Sequence, residues 1–410
     1  MAGFASPSGS LVIDGATVLF EDRLAPARLR IEGGVIAEID GPAGDGDHLD
    51  ASGLLLAPAF VDMHGDAFER QVMPRPGVML PLPAAFLETD RQLAANGVAT
   101  AYHALTLSWE PGLRSVEMGW SVLEAVNRLA PRLLVENRLQ LRWESFCFEA
   151  VGLIEAALEG PLQPSIAFND HTSMSMLAAE VPVQQRPFEF SPDFPVISPD
   201  HPKFKTRMEE RARRMKVTAT EAEEMLHAVW ARRPQVPEVI ERVALLGRTA
   251  GVAMLSHDDS QIETRDYYRG LGARISEFPM SETVAIAARE AGDMILFGAP
   301  NAARGGSHLG ASPDAAEMIR RGLCDILASD YYYPALLLAL ARLEADKVAP
   351  LHDLWSLVAR NPARACGLAD RGSIAVGQRA DLLLLEWPEA DTPRVMTTFV
   401  AARPAFRAMA

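Results

Sequence analysis

FVDMHGDAFERQVMPRPGV, Phe60 to Val78, passes within a few residues from an apolar run to His64 and Asp66, and then to the stiff turn PRPG. Residues two apart share one face of an extended strand, so His64 and Asp66 are expected to leave the strand end on the same side. The same texture recurs downstream in GVATAYHAL, LQLRWE, SIAFNDH, GVAMLSHDD, ARISEFP, MILFGAP and CDILASD. Each of the eight runs is followed by turn signals or a helix-like segment. Strands that read as continuous apolar are buried on both faces, and eight of them predict a (β/α)₈ barrel. An open doubly wound sheet is the competing arrangement, but no Gly-rich fingerprint follows the first run.

Outside the barrel region, 57–368, the pattern changes. Residues 1–56 hold short β-like pieces such as SLVIDGATVLF and ARLRIEGGVIAEID, divided by Gly, Pro and Asp. Residues 369–410 return to it in GSIAVGQRADLLLLEW. Both ends are therefore expected to build one small β-sandwich domain. Within the barrel, about 185–248 is the longest departure, a Pro-rich piece followed by the charged run TRMEERARRMKVTATEAEEMLHAVWARR. Its charges suit a solvated helix face, and its place in a barrel suits a lid over the active face.

A 410-residue chain with 49% hydrophobic residues can bury a large core, and length alone suggests roughly two to three domains unless one large barrel takes most of it. The formal charge of −15 argues against nucleic acid or an anionic membrane as partner, since both are held mainly by clustered Lys and Arg. Positive contacts to an anionic substrate must then be local. Three widely spaced cysteines, Cys147, Cys324 and Cys366, imply reduced thiols rather than a disulfide framework. The first residues lack the basic start of an export signal, and no run approaches the ~20 apolar residues of a membrane helix. A cytoplasmic protein is expected.

Barrel chemistry sits at the C-terminal strand ends. There the runs end on His64 and Asp66, Glu144, His171, His257 and Asp330, nitrogen and oxygen donors suited to a divalent transition metal. A single strand-end histidine is more often only hydrogen-bonded. Five runs ending in this way point to a shared site for two divalent ions, with zinc favoured and manganese or iron alternatives. His64 and Asp66 would grip one ion, Glu144 bridge the pair, and His171 and His257 hold the second. Asp330 would be both ligand and proton acceptor in a hydrolysis.

On these residues the chain resembles the amidohydrolase superfamily of metal-dependent barrels, whose C-terminal sheet piece often reads like GSIAVGQRADLLLLE. HGDAFERQVMPRPGV, LRWE, NDH, SHDDS, ISEFP, GAPNAARGGSH and DILASDYYYPALL, in this order, resemble more narrowly the phosphonate-degrading diphosphatases of the carbon–phosphorus lyase pathway. That resemblance implies the same six metal positions. It also implies hydrolysis of the phosphoanhydride of alpha-D-ribose 1-methylphosphonate 5-triphosphate with release of pyrophosphate. The runs place Glu144, His171 and His257 after the third, fourth and fifth strands, whereas the commonest superfamily layout uses the fourth, fifth and sixth.

The loop GAPNAARGGSH supplies Asn301, Arg304, Ser307 and His308. Glycines admit backbone N–H groups to phosphate oxygens and arginine offers a planar fork, although a turn needing positive φ would also explain the glycines. With Arg75 and Arg142 these residues form an expected cationic ring, Arg304 and His308 serving the leaving group and Asn301 and Ser307 the substrate. Asp258 and Asp259 either orient His257 and contact substrate or cap the next helix. Two departures stand out: TSMSML follows NDH where the diphosphatases carry Pro-Gly-Gln-Arg-Gln-Phe, and GSHLGA replaces Gly-Ser-His-Ser-Gly-Asn. The alternative is therefore an amidohydrolase cleaving a C–N bond of a cyclic or N-acylated amide. A scaffold without catalysis fits poorly, because every expected ligand is present. A possible homodimer completes the expectations.

Overall fold

The computed structural model describes residues 9–42, 46–307, 309–389 and 391–408. Eight parallel strands run side by side in sequence order: β1 (Phe60–Gly65), β2 (Val98–Leu107), β3 (Glu136–Glu144), β4 (Ser165–Asn169), β5 (Met254–His257), β6 (Ile275–Glu277), β7 (Met294–Gly298) and β8 (Ile326–Ala328). These are the eight apolar runs. The segment between β2 and β3 folds as a helix, Val116–Leu129, so no further strand intervenes, and Glu144 does end the third strand.

The barrel closes where β8 meets β1. Asp330 N–H donates to the His64 carbonyl at 2.8 Å, and Asp66 N–H donates back to the Asp330 carbonyl at 2.9 Å. Buried Asp62 fastens the same seam, accepting from Ser329 N–H at 2.9 Å and Ser329 Oγ–H at 2.5 Å. Gly65 is required here, because a Cβ would lie 2.9 Å from the Asp62 carboxylate and 3.1 Å from Ser329 Oγ. Inside the barrel Met63, Ala167, Leu255, Ile275, Leu296 and Ile326 form a dry plug, whereas larger clusters pack the outer strand faces against the helices. The plug fills the barrel, and polar side chains are gathered at its C-terminal rim.

Both chain ends build two further sheets. One runs Val35–Ile39, Leu29–Glu32, Ser10–Asp14, Asp47–Asp50. The other runs Arg403–Arg407, Arg394–Val400, Leu382–Glu386, Leu55–Pro58, Thr17–Leu19, Leu24–Pro26. In the second sheet the C-terminal strand Leu382–Glu386 lies antiparallel to Leu55–Pro58. Ile13, Ile31, Leu56, Leu382 and Phe399 share one core between the sheets. Only Ala59 separates this sandwich from β1, and Arg371 and Arg379 tie it to Glu136 at the start of β3, at 2.9 and 2.8 Å.

Between β4 and β5 the chain forms helices His171–Met176, Pro202–Met215, Ala219–Trp230 and Val236–Ala250. The last buries Ile240, Val243 and Ala244 in the barrel's outer core, as an ordinary barrel helix does. The true excursion thus ends near residue 235 rather than 248. Its helix Pro202–Met215 stands at the mouth of the barrel. No helix of the described residues is long and apolar enough to cross a membrane.

Candidate active site

A cavity of about 730 Å³ opens at the C-terminal rim. Its floor carries His64, Asp66, Glu144, His171, His257 and Asp330, so the six expected metal positions, delivered by five strand ends, converge. Two ligand groups can be drawn with donor atoms within 4.8 Å of one another: His64, Asp66 and Asp330, and His64, His257 and Glu277. Glu144 and His171 engage each other instead: His171 N–H donates to Glu144 Oε2 at 2.9 Å, and His171 Nδ1 lies 2.5 Å from Glu144 Oε1.

Glu277, at the end of β6, received no role from the sequence, although ARISEFP ends on it as the other runs end on their donors. It is fully buried. Its Oε1 lies 2.9 Å from His64 Nδ1 and accepts from Gln140 Nε2 at 2.8 Å, while Oε2 has no hydrogen-bond partner among the described residues. The same holds for His64 Nε2 and both ring nitrogens of His257. His257 Nδ1 is 3.0 Å from Asp258 Oδ2 but off the line of a hydrogen bond. Unpartnered buried polar atoms are costly, and His64, His257 and Glu277 can each turn one donor atom to within 4.8 Å of the others, which fits a cation. The His, Glu and Asp set suits zinc, manganese or iron.

The two buried histidines differ in charge state: burial works against a charged His64 ring, but Glu277 beside it outweighs burial and holds its pKa above the ordinary value, whereas His257 is held below. Burial pushes the Glu144 carboxyl up, but the adjoining His171 outweighs it and holds the pKa at about 2. Burial likewise raises Asp258 and Glu277, and His257 and His64 respectively pull each below the usual carboxylate range. Burial keeps His257 below its ordinary value, favouring the neutral ring that a metal needs. Asp258, Phe278 and Asp330 all sit at positive φ, 58°, 53° and 55°, at the ends of β5, β6 and β8. Three non-glycine residues in the left-handed region at one rim store backbone strain where side chains must be aimed inward.

The substrate-side expectations divide. Arg142 is buried on the cavity floor, its Nε donating to Asn169 Oδ1 at 3.2 Å and its Nη1 3.8 Å from Asp66. Asp258 stands between His257 and His171, 3.9 Å from His171 Nε2, whereas Asp259 is turned away to Ser256 and Arg265. Arg304 and Ser307 line the wall. Asn301 lines it too, but both ends of its amide brace the following loop, to Pro313 O at 2.9 Å and Ala315 N at 3.0 Å. Arg75 does not line the cavity: it lies exposed in the turn that pairs it with Val78. His308 lies outside the described residues. Missed altogether were Arg207, Arg211 and Arg214 of the excursion helix, which face the cavity at spacings of four and three.

A (β/α)₈ barrel bearing a His, Asp and Glu rim defines a class, and the amidohydrolase family profile matches residues 171–402, more than half of the chain, which belongs to that family. The chain is 29% identical over 380 residues to the alpha-D-ribose 1-methylphosphonate 5-triphosphate diphosphatase of Escherichia coli (strain K12), covering 91% of this chain and 94% of that enzyme. Among solved structures it is similar to phenylurea hydrolase B, with TM-score 0.62, 14% identity and 96% of both chains covered. It is also similar to dihydropyrimidinase from Brevibacillus agri NCHU1002, with TM-score 0.55, 12% identity, and 97% and 95% covered. At such identities the structural likenesses show the fold alone.

Proposed function

We propose that this amidohydrolase-family enzyme cleaves the phosphoanhydride of alpha-D-ribose 1-methylphosphonate 5-triphosphate, releasing pyrophosphate. The observation that carries this reading is the cationic wall. Arg142, Arg207, Arg211, Arg214 and Arg304 surround a cavity in a protein of net charge −15. Arginine forks recognise phosphate oxygens, and the similarity to the Escherichia coli diphosphatase supports the choice of substrate.

In this reading His64, Asp66, Asp330, His257 and Glu277 would hold the divalent ions, with the Glu144–His171 pair beside them on the cavity floor. Bound there, such ions supply Lewis acidity and neutralise phosphate charge. Asp330 takes the proton of the attacking water as its oxygen bonds to the phosphorus nearest the ribose. The bond from that phosphorus to the bridging oxygen breaks, and the electron pair leaves with pyrophosphate. Arg304 meets the developing negative charge, and Asp258 keeps His257 aimed.

Hydrolysis of a C–N bond is the second reading, favoured by TSMSML at Thr172–Leu177, which supplies no charged group to the cavity. Metal-loaded enzyme incubated with ribose and nucleoside triphosphates, and separately with N-acyl amino acids and cyclic amides, decides between them. Pyrophosphate release is the expected outcome; free amine without pyrophosphate overturns it.

A further inference from the structure

We propose that the excursion helix Pro202–Met215 carries a subsite for the terminal phosphoryl groups of a polyphosphate tail, built from Arg207 and Arg211 with Arg304 opposite. In this subsite Glu110 is a built-in counter-ion that the tail displaces; the inference presupposes the triphosphate reading above. Arg207, Arg211 and Arg214 share one face of the helix and all reach the cavity. Glu110, on the loop after β2, already sits between two of them. Its Oε1 accepts from Arg211 Nε at 2.9 Å and Arg214 Nη2 at 2.9 Å, and its Oε2 accepts from Arg214 Nη2 at 2.8 Å and Nε at 3.1 Å. The Arg214 fork and the single Arg211 Nε–H, whose Nη2 donates instead to Ser175 Oγ at 2.8 Å, close on one pair of oxygens and form a cradle that suits two phosphate oxygens equally well.

A solvated strut would not need the burial seen here. The Arg211 side chain is 8% exposed, lies over the Trp109 ring at 5.2 Å, and keeps Nη1 without a partner among the described residues. Arg207 is held by the carbonyls of Ser175 and Leu177, at 3.1 and 2.9 Å through Nη1 alone, and no carboxylate partners it among the described residues. Arg304, across the cavity, has neither a hydrogen bond nor an ion pair among the described residues. Glu110 thus bonds two of the four arginines and leaves Arg207 and Arg304 without a carboxylate among the described residues, although Glu210 also lines the cavity, and an incoming dianion can pair with them. The floor holds the phosphorus under attack, so linked phosphoryl groups extending up the wall meet these side chains.

The test measures binding of inorganic pyrophosphate by titration calorimetry to the metal-loaded full chain, with magnesium in excess. Arg207→Gln and Arg304→Gln should each weaken binding about tenfold, the scale of one charged hydrogen bond, and Glu110→Gln should tighten it. Arg213→Gln, an exposed charge on the same helix outside the cavity, should bind like the wild type. Thermal midpoints confirm that each variant folds. Wild-type binding with no change in Arg207→Gln and Arg304→Gln overturns the subsite while leaving the triphosphate reading intact. Weaker binding in Glu110→Gln overturns its role as a displaceable counter-ion. A wild type that neither binds pyrophosphate nor releases it from any triphosphate overturns both readings together.

Discussion

Replacing Glu277 with Gln separates a metal ligand from a structural carboxylate with almost no change of shape. Oε1 receives both existing contacts, His64 Nδ1 at 2.9 Å and Gln140 Nε2 at 2.8 Å, while Oε2 has no partner. A glutamine can keep its oxygen on the first side and turn its NH₂ toward His257. The metal-free fold should therefore keep its stability within about 1 kcal/mol. The ion, however, loses a charged donor and meets N–H groups, which should weaken binding by at least ~100-fold, above the scale seen when supporting groups alone are removed. At a metal concentration of about 100 times the wild-type Kd, binding stabilises the wild type by about 2.7 kcal/mol and the variant by about 0.4 kcal/mol. For 410 residues, at about 2.1 cal/mol/K each, that gap of about 2.3 kcal/mol moves the midpoint by about 3 °C. Thermal melts with and without zinc read it directly. A variant that keeps the full zinc-induced shift, or whose metal-free midpoint collapses, refutes the assignment of Glu277 to the ion.

Asp330→Asn should keep the fold and lose at least ~100-fold in kcat, the usual scale for a positioned base, as measured by pyrophosphate release; near-normal turnover removes Asp330 from that role. Gly65→Ala forces its Cβ against Asp62 and Ser329 at the closing seam and should cost about 1–3 kcal/mol in urea unfolding, with wild-type stability counting against the seam. Burial pushes Glu136 up, but Arg371 and Arg138 beside it hold its pKa at about 2. With the folded value below the unfolded one, Glu136 contributes about 3 kcal/mol that is present above pH 4.5 and lost as pH falls toward 2. Glu136→Gln should lack that part of the acid dependence in pH-resolved urea melts, and an unaltered profile would contradict it.

The barrel was legible because parallel strands buried on both sides leave unbroken apolar runs, and all eight runs became strands. The polar rim was legible for a related reason: a donor that closes an apolar run has left the plug for the mouth. Glu277 broke no pattern. It escaped because glutamate before Phe-Pro resembles an ordinary strand exit, and only three dimensions show its second oxygen unpaired beside His64 and His257. The arginines of Pro202–Met215 escaped for the opposite reason. A helix rich in both charges looks solvated all round, and nothing local reveals that Trp109 and Glu110, a hundred residues earlier, cover Arg211. Arg75 is the reverse case, since a stiff turn next to His64 and Asp66 does not by itself aim a side chain into the cavity. That the excursion ends near residue 235 depended on seeing Ile240 and Val243 packed into the barrel's outer core.

The central claim is that His64 anchors a metal centre shared by the rim carboxylates and His257. Anomalous diffraction at the zinc edge, from crystals of the full chain grown with zinc, tests it most directly. The account predicts density bounded by His64, His257 and Glu277 and by His64, Asp66 and Asp330. Zinc bound only elsewhere on the protein, with none at these side chains, would contradict it.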